Sequence, residues 1–124
     1  MSLFDWLLVA HLFGDFALQA DSMASNKEQQ WSWMFRHVGC YLIPVTLVIG
    51  VFALTQHIPA WWALLALLFI TGTHIVLDRR TFTVAWMRLV GASPDHPWLP
   101  IVVDQVFHVL TLAIVAQVLV VVSG

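Results

Sequence analysis

The chain of 124 residues is 60% hydrophobic and 10% charged, and its formal net charge is −2. Because a soluble domain usually has about a quarter charged residues, this composition excludes an ordinary soluble core and indicates a protein that crosses a membrane several times. The length allows one domain, and the single cysteine, Cys40, excludes an intramolecular disulfide. We expect the lipid bilayer, and no nucleic acid, as the partner of this chain.

Four apolar segments predict an all-α fold, in which residues 1–124 form a single integral membrane domain built as a four-transmembrane-helix bundle. Each segment is near the ~20 residues that a helix needs to cross the hydrocarbon. Pro44 lies inside the second segment, where a membrane helix tolerates it. The four spans run from about 3–20, 33–55, 60–77 and 98–122.

The connection between the third and fourth spans carries a short amphipathic pattern. Apolar residues recur there at i, i+3, i+4 and i+7 spacing, with Arg88 off that face: Phe82, Ala85, Trp86 and Leu89. Such a pattern is typical of a helix that lies in the membrane interface. We therefore expect a short interfacial helix over residues 81–89.

All basic residues of the chain fall on one side of the predicted bundle. They lie in the connections after spans one and three or just inside span two, whereas the other turn and both termini have none. The positive-inside rule therefore places this side in the cytoplasm and both termini in the periplasm. The basic residues are Lys27, Arg36, Arg79, Arg80 and Arg88.

Three of the four segments carry a histidine and an aspartate at i, i+4 spacing, which places both side chains on one helix face. In the last segment the order is reversed, as an antiparallel helix requires if the groups are to meet. The aspartates then lie roughly 0–9 Å from the inner ends of the spans, and the histidines about 6 Å deeper. His37 falls near the aspartate layer. The pairs are His11 with Asp15, His74 with Asp78, and Asp104 with His108.

Ionisable groups inside a membrane are costly and usually functional. Imidazole together with carboxylate favours a divalent transition metal (Zn, Fe or Mn), and helical bundles build such sites from facing side chains. We expect one or two ions, and the competing interpretation is structural pairing between helices. The predicted ligands are His11, Asp15, His37, His74, Asp78, Asp104 and His108.

Five further polar residues are expected to orient these ligands or to contact a substrate, and no catalytic residue is assigned. For Gln105, ordinary interhelical hydrogen bonding is the favoured role. The basic members suit a phosphate or an anionic lipid headgroup, although positive-inside anchoring also explains each of them. The five are Gln19, Gln105, Arg36, Arg79 and Arg80.

The same residues carry a resemblance to a known family. The run His11-Leu-Phe-Gly-Asp15-Phe-Ala-Leu-Gln19-Ala-Asp21, then Asn26-Lys27, His37, the pair His74 and Asp78, and Asp104-Gln105 with His108, resembles the DUF3307 family of small bacterial integral membrane proteins. The resemblance covers nearly the whole chain and implies a place in a bacterial inner membrane. It also extends, loosely, to membrane-bound metal-dependent hydrolases with His/Asp-bearing helices.

Two classes of function follow from this pattern. In the first, a membrane metal-dependent hydrolase uses metal-bound water at the cytoplasmic leaflet, in a cleft that the three arginines line or flank. In the second, the bundle is a component that transports or senses metal ions or protons. The outer half of the spans has no ionisable residue beyond Asp5, which argues against a continuous polar path. A b-type haem protein with His11, His74 or His108 as axial ligands is a third alternative. Assembly into a homo-oligomer stays open.

Overall fold

The computed structural model describes residues 1–124, and all of its regular elements are helical. The all-α prediction is thereby confirmed, and a short helix occupies the residues for which the amphipathic pattern predicts one. The elements are α1 Leu3–Leu12, a π-helical turn Phe13–Ala17, α2 Asp21–Asn26, α3 Trp31–Thr55, α4 Ala60–Asp78, α5 Thr81–Leu89 and α6 Leu99–Ser123.

Four segments pack in a closed ring: α1 with its π-helical turn, then α3, α4 and α6, which returns to α1. At one end of the ring, Leu3 of α1 shares a groove with Val48 and Phe52 of α3. At the other end, His37 of α3 meets His74 of α4. Neighbouring helices in the ring therefore run antiparallel.

The helices α3, α4 and α6 are long and apolar enough to cross a membrane. Their outward faces carry many exposed leucine, valine, isoleucine and phenylalanine side chains, and only 27 of the 124 residues are buried. Such a surface is unfavourable in water and suits the acyl chains of a bilayer. These features suggest a membrane protein.

The first helical segment is shorter than the predicted span of about 3–20. The α1 helix has ten residues and the π-helical turn has five, which together rise about 22 Å, less than the ~30 Å of hydrocarbon. The chain leaves the helix at Leu18 and is extended at Ala20. The other long helices begin and end within two residues of their predicted bounds, and α3 continues through Pro44.

The π-helical turn places two consecutive residues, Gly14 and Asp15, in the interior. A Cβ atom at Gly14 would lie 3.0 Å from the Cα of Tyr41 and 3.1 Å from its carbonyl oxygen, closer than nine in ten real Cβ contacts. Glycine therefore allows the first segment to touch the backbone of α3. Turns of this type are frequent at functional sites, and this one carries Asp15 into a polar interior.

The interior of the bundle is divided along its axis into an apolar and a polar end. The apolar end contains Leu7, Val45, Ile49, Ile70 and Leu112, each no more than 1% exposed. Because buried polar groups are costly unless they find partners, those gathered at the other end must satisfy one another or a ligand. They are His11, Asp15, His37, His74, Asp78, Thr83, Asp104 and His108.

Candidate metal centre

All seven predicted ligands are buried at the polar end, and four of them converge from the π-helical turn, α3 and α4. Their ligand atoms all lie within 4.8 Å of one another: Asp15, His37, His74 and Asp78. The Nε2 atom of His37 lies 3.1 Å from Asp15 Oδ1 and 2.8 Å from Asp78 Oδ2. The Nε2 atom of His74 lies 3.1 Å from His37 Nε2 and 3.3 Å from Asp78 Oδ2. It lies 4.0 Å from Asp15 Oδ1.

These separations match the edges of a metal coordination shell. Four donors placed tetrahedrally at about 2.1 Å from a zinc ion are roughly 3.3 Å from one another. The five separations given above scatter around that value, from 2.8 to 4.0 Å. Two imidazole nitrogens and two carboxylate oxygens also suit Zn, Fe or Mn. This set, which we call the four-donor cluster, could hold one ion.

A second group of possible ligands shares Asp78 with the four-donor cluster. The ligand atoms of Asp78, Asp104 and His108 also lie within 4.8 Å of one another. Asp78 Oδ1 lies 3.7 Å from His108 Nε2, and Asp104 Oδ2 lies 3.4 Å from His108 Nδ1. Because its two oxygens face the two groups, Asp78 could bridge two ions.

A line of hydrogen bonds orients His74 within the cluster. The Nδ1–H of His108 donates to the backbone carbonyl of Asp104 at 3.0 Å. In a neutral His108 the Nε2 atom is then an acceptor, and it lies 2.9 Å from Nδ1 of His74, which must carry the proton. His74 therefore presents an unprotonated Nε2 to the four-donor cluster, as a metal ligand does. The same bond occupies His108 Nε2 and favours one ion over two.

Tyr41 and Gln105 contact members of the four-donor cluster and connect them to His11. The Tyr41 ring stacks on the His74 ring with centroids 3.7 Å apart, and its hydroxyl oxygen lies 3.3 Å from His11 Nδ1. Gln105 donates from Nε2 to Asp15 Oδ2 at 2.9 Å and accepts at Oε1 from His11 Nε2 at 2.8 Å. These are the interhelical hydrogen bonds favoured for Gln105. His11 belongs to neither ligand group. Both of its ring nitrogens have these other partners.

Lys27 also lies at the centre of the site, although the sequence did not predict a role for it. Its Nζ atom lies 2.8 Å from Asp78 Oδ2, 3.2 Å from His37 Nε2 and 3.6 Å from Asp15 Oδ1. The side chain is 12% exposed. Lys27 caps the C-terminus of α2, a helix of six residues that no apolar periodicity reveals. Its one sequence signal is its place in the family-like pattern, as part of Asn26-Lys27.

A partly open cleft of about 170 Å³ reaches the four-donor cluster from the side of α2. Arg80 belongs to its wall, has a left-handed backbone (φ 58) just after α4, and pairs through Nε with Glu28 Oε1 at 3.0 Å. The lining of the cleft is mostly polar and includes Asp15, Gln19, Lys27, Asp78, Arg80, Asp104 and Gln105, beside Phe16, Ala24 and Ile101.

Two of the three arginines expected at the cleft lie elsewhere. The guanidinium carbon of Arg36 lies 4.9 Å from the ring centroid of Trp33, and that of Arg79 lies 4.4 Å from the ring centroid of Trp31. Neither arginine lines the cleft. Each makes a cation–π contact with a tryptophan of the same end of the bundle.

The remaining polar residues are peripheral to the cluster. Thr83 of α5 donates from its buried hydroxyl to Asp104 Oδ1 at 3.4 Å. Gln19 has a buried Oε1 without a hydrogen-bond partner. The loop histidines His57 and His96 are exposed. Cys40 is partly buried and belongs to neither ligand group.

Comparison with known proteins gives a family and no activity. A family model described as "Protein of unknown function (DUF3307)" matches residues 3–124, essentially the whole chain. No curated protein matches the chain. No solved structure matches it either. The resemblance carried by the His/Asp pattern is thereby confirmed, and any function must be argued from the site itself.

Proposed function

The chain belongs to the DUF3307 family, whose description assigns no activity, and we propose that it is a membrane-embedded, metal-dependent enzyme of the hydrolase type. The observation that carries the proposal is the four-donor cluster, two of whose members, Asp15 and Asp78, line a cleft. Asp15 and Asp78 bring two negative charges into a buried place, and with His37 neutral, as a metal ligand must be, Lys27 offsets only one of them. A divalent ion supplies the compensation that buried carboxylates require.

We propose a single ion, held by the four-donor cluster, with Asp104 and His108 behind it as the residues that orient His74. Zinc can expand to five ligands, and manganese or iron accepts six, so four protein donors still leave a position for water. The cleft beside Asp15 and Asp78 supports an open position on that side. Water bound there would be acidified by the ion and would serve as the nucleophile.

The proposed setting is the inner membrane of a bacterium, crossed by four helical segments, with α5 in the interface. The first segment is short, but it runs beside α3 from the level of Phe52 to the level of His37. The basic residues favour the cytoplasm for the polar end of the bundle and the periplasm for both termini.

Reporter fusions at Gly124 test this orientation. Because both termini lie in the periplasm in our proposal, alkaline phosphatase fused there should be active, and a green fluorescent protein exported unfolded should stay dark. The matched control is a fusion within the connection after Lys27, where the two reporters should behave in the opposite way. A fluorescent C-terminal fusion without phosphatase activity would overturn the orientation and move the cleft to the outer leaflet.

A transport role and a haem role have less support. Beyond the cluster, the interior consists of side chains such as Leu7, Ile49 and Leu112, each at most 1% exposed, which favours a closed site over a polar path through the membrane. A haem iron needs free axial nitrogens. Nε2 of His108 contacts Nδ1 of His74 at 2.9 Å instead, and Nε2 of His74 lies 3.3 Å from Asp78 Oδ2, among carboxylates that fit haem poorly.

Elemental analysis of the purified protein tests the proposed function. We expect about one equivalent of zinc, iron or manganese per chain, lost on treatment with a chelator and regained on addition of the metal. The loaded protein should hydrolyse phosphate or carboxylic esters, and the chelated protein should not. Metal without any chelator-sensitive turnover would contradict the enzyme and leave a binding site, whereas a Soret band would favour haem.

A further inference from the structure

The polar cleft continues into an apolar groove on the outer face of α6. The groove has a volume of about 350 Å³ and lies along one side of a helix that is apolar enough to cross a membrane. Two residues, Ile101 and Gln105, line both the cleft and the groove. From Ile101 to Val109 the helix rises about 12 Å. The groove is lined by Ile101, Val102, Gln105, Val106 and Val109.

The cleft is mostly polar and the groove mostly apolar, like the headgroup and the acyl chain of a lipid. The cleft has three carboxylates against Lys27 and Arg80, and Arg80 is itself paired with Glu28. A divalent ion would change the formal charge of these six groups from −2 to 0 and, together with Lys27, would offer an anionic group a local positive partner. The lining of the cleft includes two exposed apolar side chains, Phe16 and Ile101, which are 51% and 41% exposed. Apolar side chains at that position favour entry from the bilayer over entry from bulk water.

We propose that the site takes a phosphate-bearing lipid from the surrounding leaflet, with its phosphate in the cleft and its acyl chain in the groove along α6. This inference rests on the proposed function, because the bound ion supplies the positive charge. Gln105 lies where headgroup and chain would meet. Its amide is already satisfied by Asp15 and His11, so it does not leave an unpaired polar group beside the acyl chain.

Filling the groove without touching the cleft tests the proposal. Val106 is 58% exposed, lines the groove and does not line the cleft, so Val106→Trp should block the acyl chain and still fold. Val102→Trp, at 48% exposure, is a second variant of the same kind. The matched control is Val120→Trp, also on α6 and 47% exposed, which lies outside the groove.

The measurement is the binding of fluorescent lysophosphatidic acid and of glycerol phosphate to metal-loaded protein in nanodiscs, with metal content determined on the same samples. We expect the acylated probe to bind wild type at least tenfold more tightly than glycerol phosphate. In both groove variants this preference should disappear, with glycerol phosphate binding and metal content unchanged, whereas Val120→Trp should keep it.

Each other outcome has a distinct meaning. Equal binding of the two probes by wild type would assign the cleft to a soluble phosphate and overturn the lipid proposal, while leaving the metal site intact. Equal losses in Val106→Trp and Val120→Trp would also overturn it, because the groove would then have no special role. Protein that binds no metal would overturn the proposed function, and the lipid proposal with it.

Discussion

Replacing Asp78 with asparagine should abolish metal binding by the protein. Asp78 is the one residue that belongs to both groups of possible ligands, so its loss affects one ion or two alike. Asparagine keeps the size of the side chain and can still accept a hydrogen bond from Lys27, which helps the variant to fold. Loss of a residue that hydrogen-bonds to a metal ligand typically weakens metal binding about 10–100-fold. Because Asp78 would itself be a ligand, we expect a larger loss of affinity in Asp78→Asn. Isothermal titration with zinc or manganese measures the change.

The number of ions follows from a comparison with Asp104→Asn. If one ion lies in the four-donor cluster, this variant should keep one equivalent of metal with affinity lowered about 10–100-fold, because Asp104 acts through His108 and His74. If two ions share Asp78, Asp104→Asn should instead lose one of two equivalents. The control is Asp95→Asn, since Asp95 is an exposed loop carboxylate. Full metal binding by folded Asp78→Asn would contradict the site.

The arrangement of the cluster could be predicted where helix periodicity determines it. The i, i+4 spacing of His74 with Asp78 and the reversed order of Asp104 with His108 place these groups at one end of an antiparallel bundle, and the structure brings them together there. The long helices could also be predicted, because apolar composition alone determines their length. Both inferences need only the geometry of a regular helix.

The features that could not be predicted depend on departures from regular helix. The π-helical turn shortens the first segment, and it depends on a contact between Gly14 and Tyr41, which are distant in the sequence. The helix α2 is too short to show a period, yet it brings Lys27 to Asp78. Arg79 was expected at the cleft because of its charge, but its guanidinium lies over the ring of Trp31 instead. That tertiary contact is not visible in the pattern of charges along the sequence.

Replacing Lys27 with methionine should raise the metal affinity of the protein at least tenfold. The Lys27 ammonium lies within 3.6 Å of three of the four donors, so it offers these atoms a competing positive charge. At an effective dielectric constant of about 20, a unit charge about 4 Å from a divalent ion is repelled by roughly 8 kcal/mol, part of which attraction to the carboxylates offsets. Because about 1.4 kcal/mol corresponds to a factor of ten, even a small remainder gives the expected change.

Lys27→Met should destabilise the protein once a chelator has removed its metal. Without an ion, Asp15 and Asp78 then have no lysine or arginine beside them, and His37 is left as their close basic partner. Thermal unfolding should therefore begin at a lower temperature in Lys27→Met than in wild type when chelator is present, and addition of metal should raise the transition further than in wild type. Lys27→Arg keeps the charge, and Arg88→Met removes an exposed charge elsewhere. Neither control should show the enlarged response.

Lys27→Met should weaken lipid binding, although it should strengthen metal binding. An ion in the four-donor cluster repels the Lys27 ammonium toward the cleft that this residue also lines, where it would meet the phosphate of the bound lipid. Lys27→Met should therefore bind metal more tightly and lysophosphatidic acid more weakly, a combination that general unfolding cannot produce. If metal affinity fell together with lipid affinity, Lys27 would be a supporting part of the metal site, and its proposed competition with the ion would be wrong.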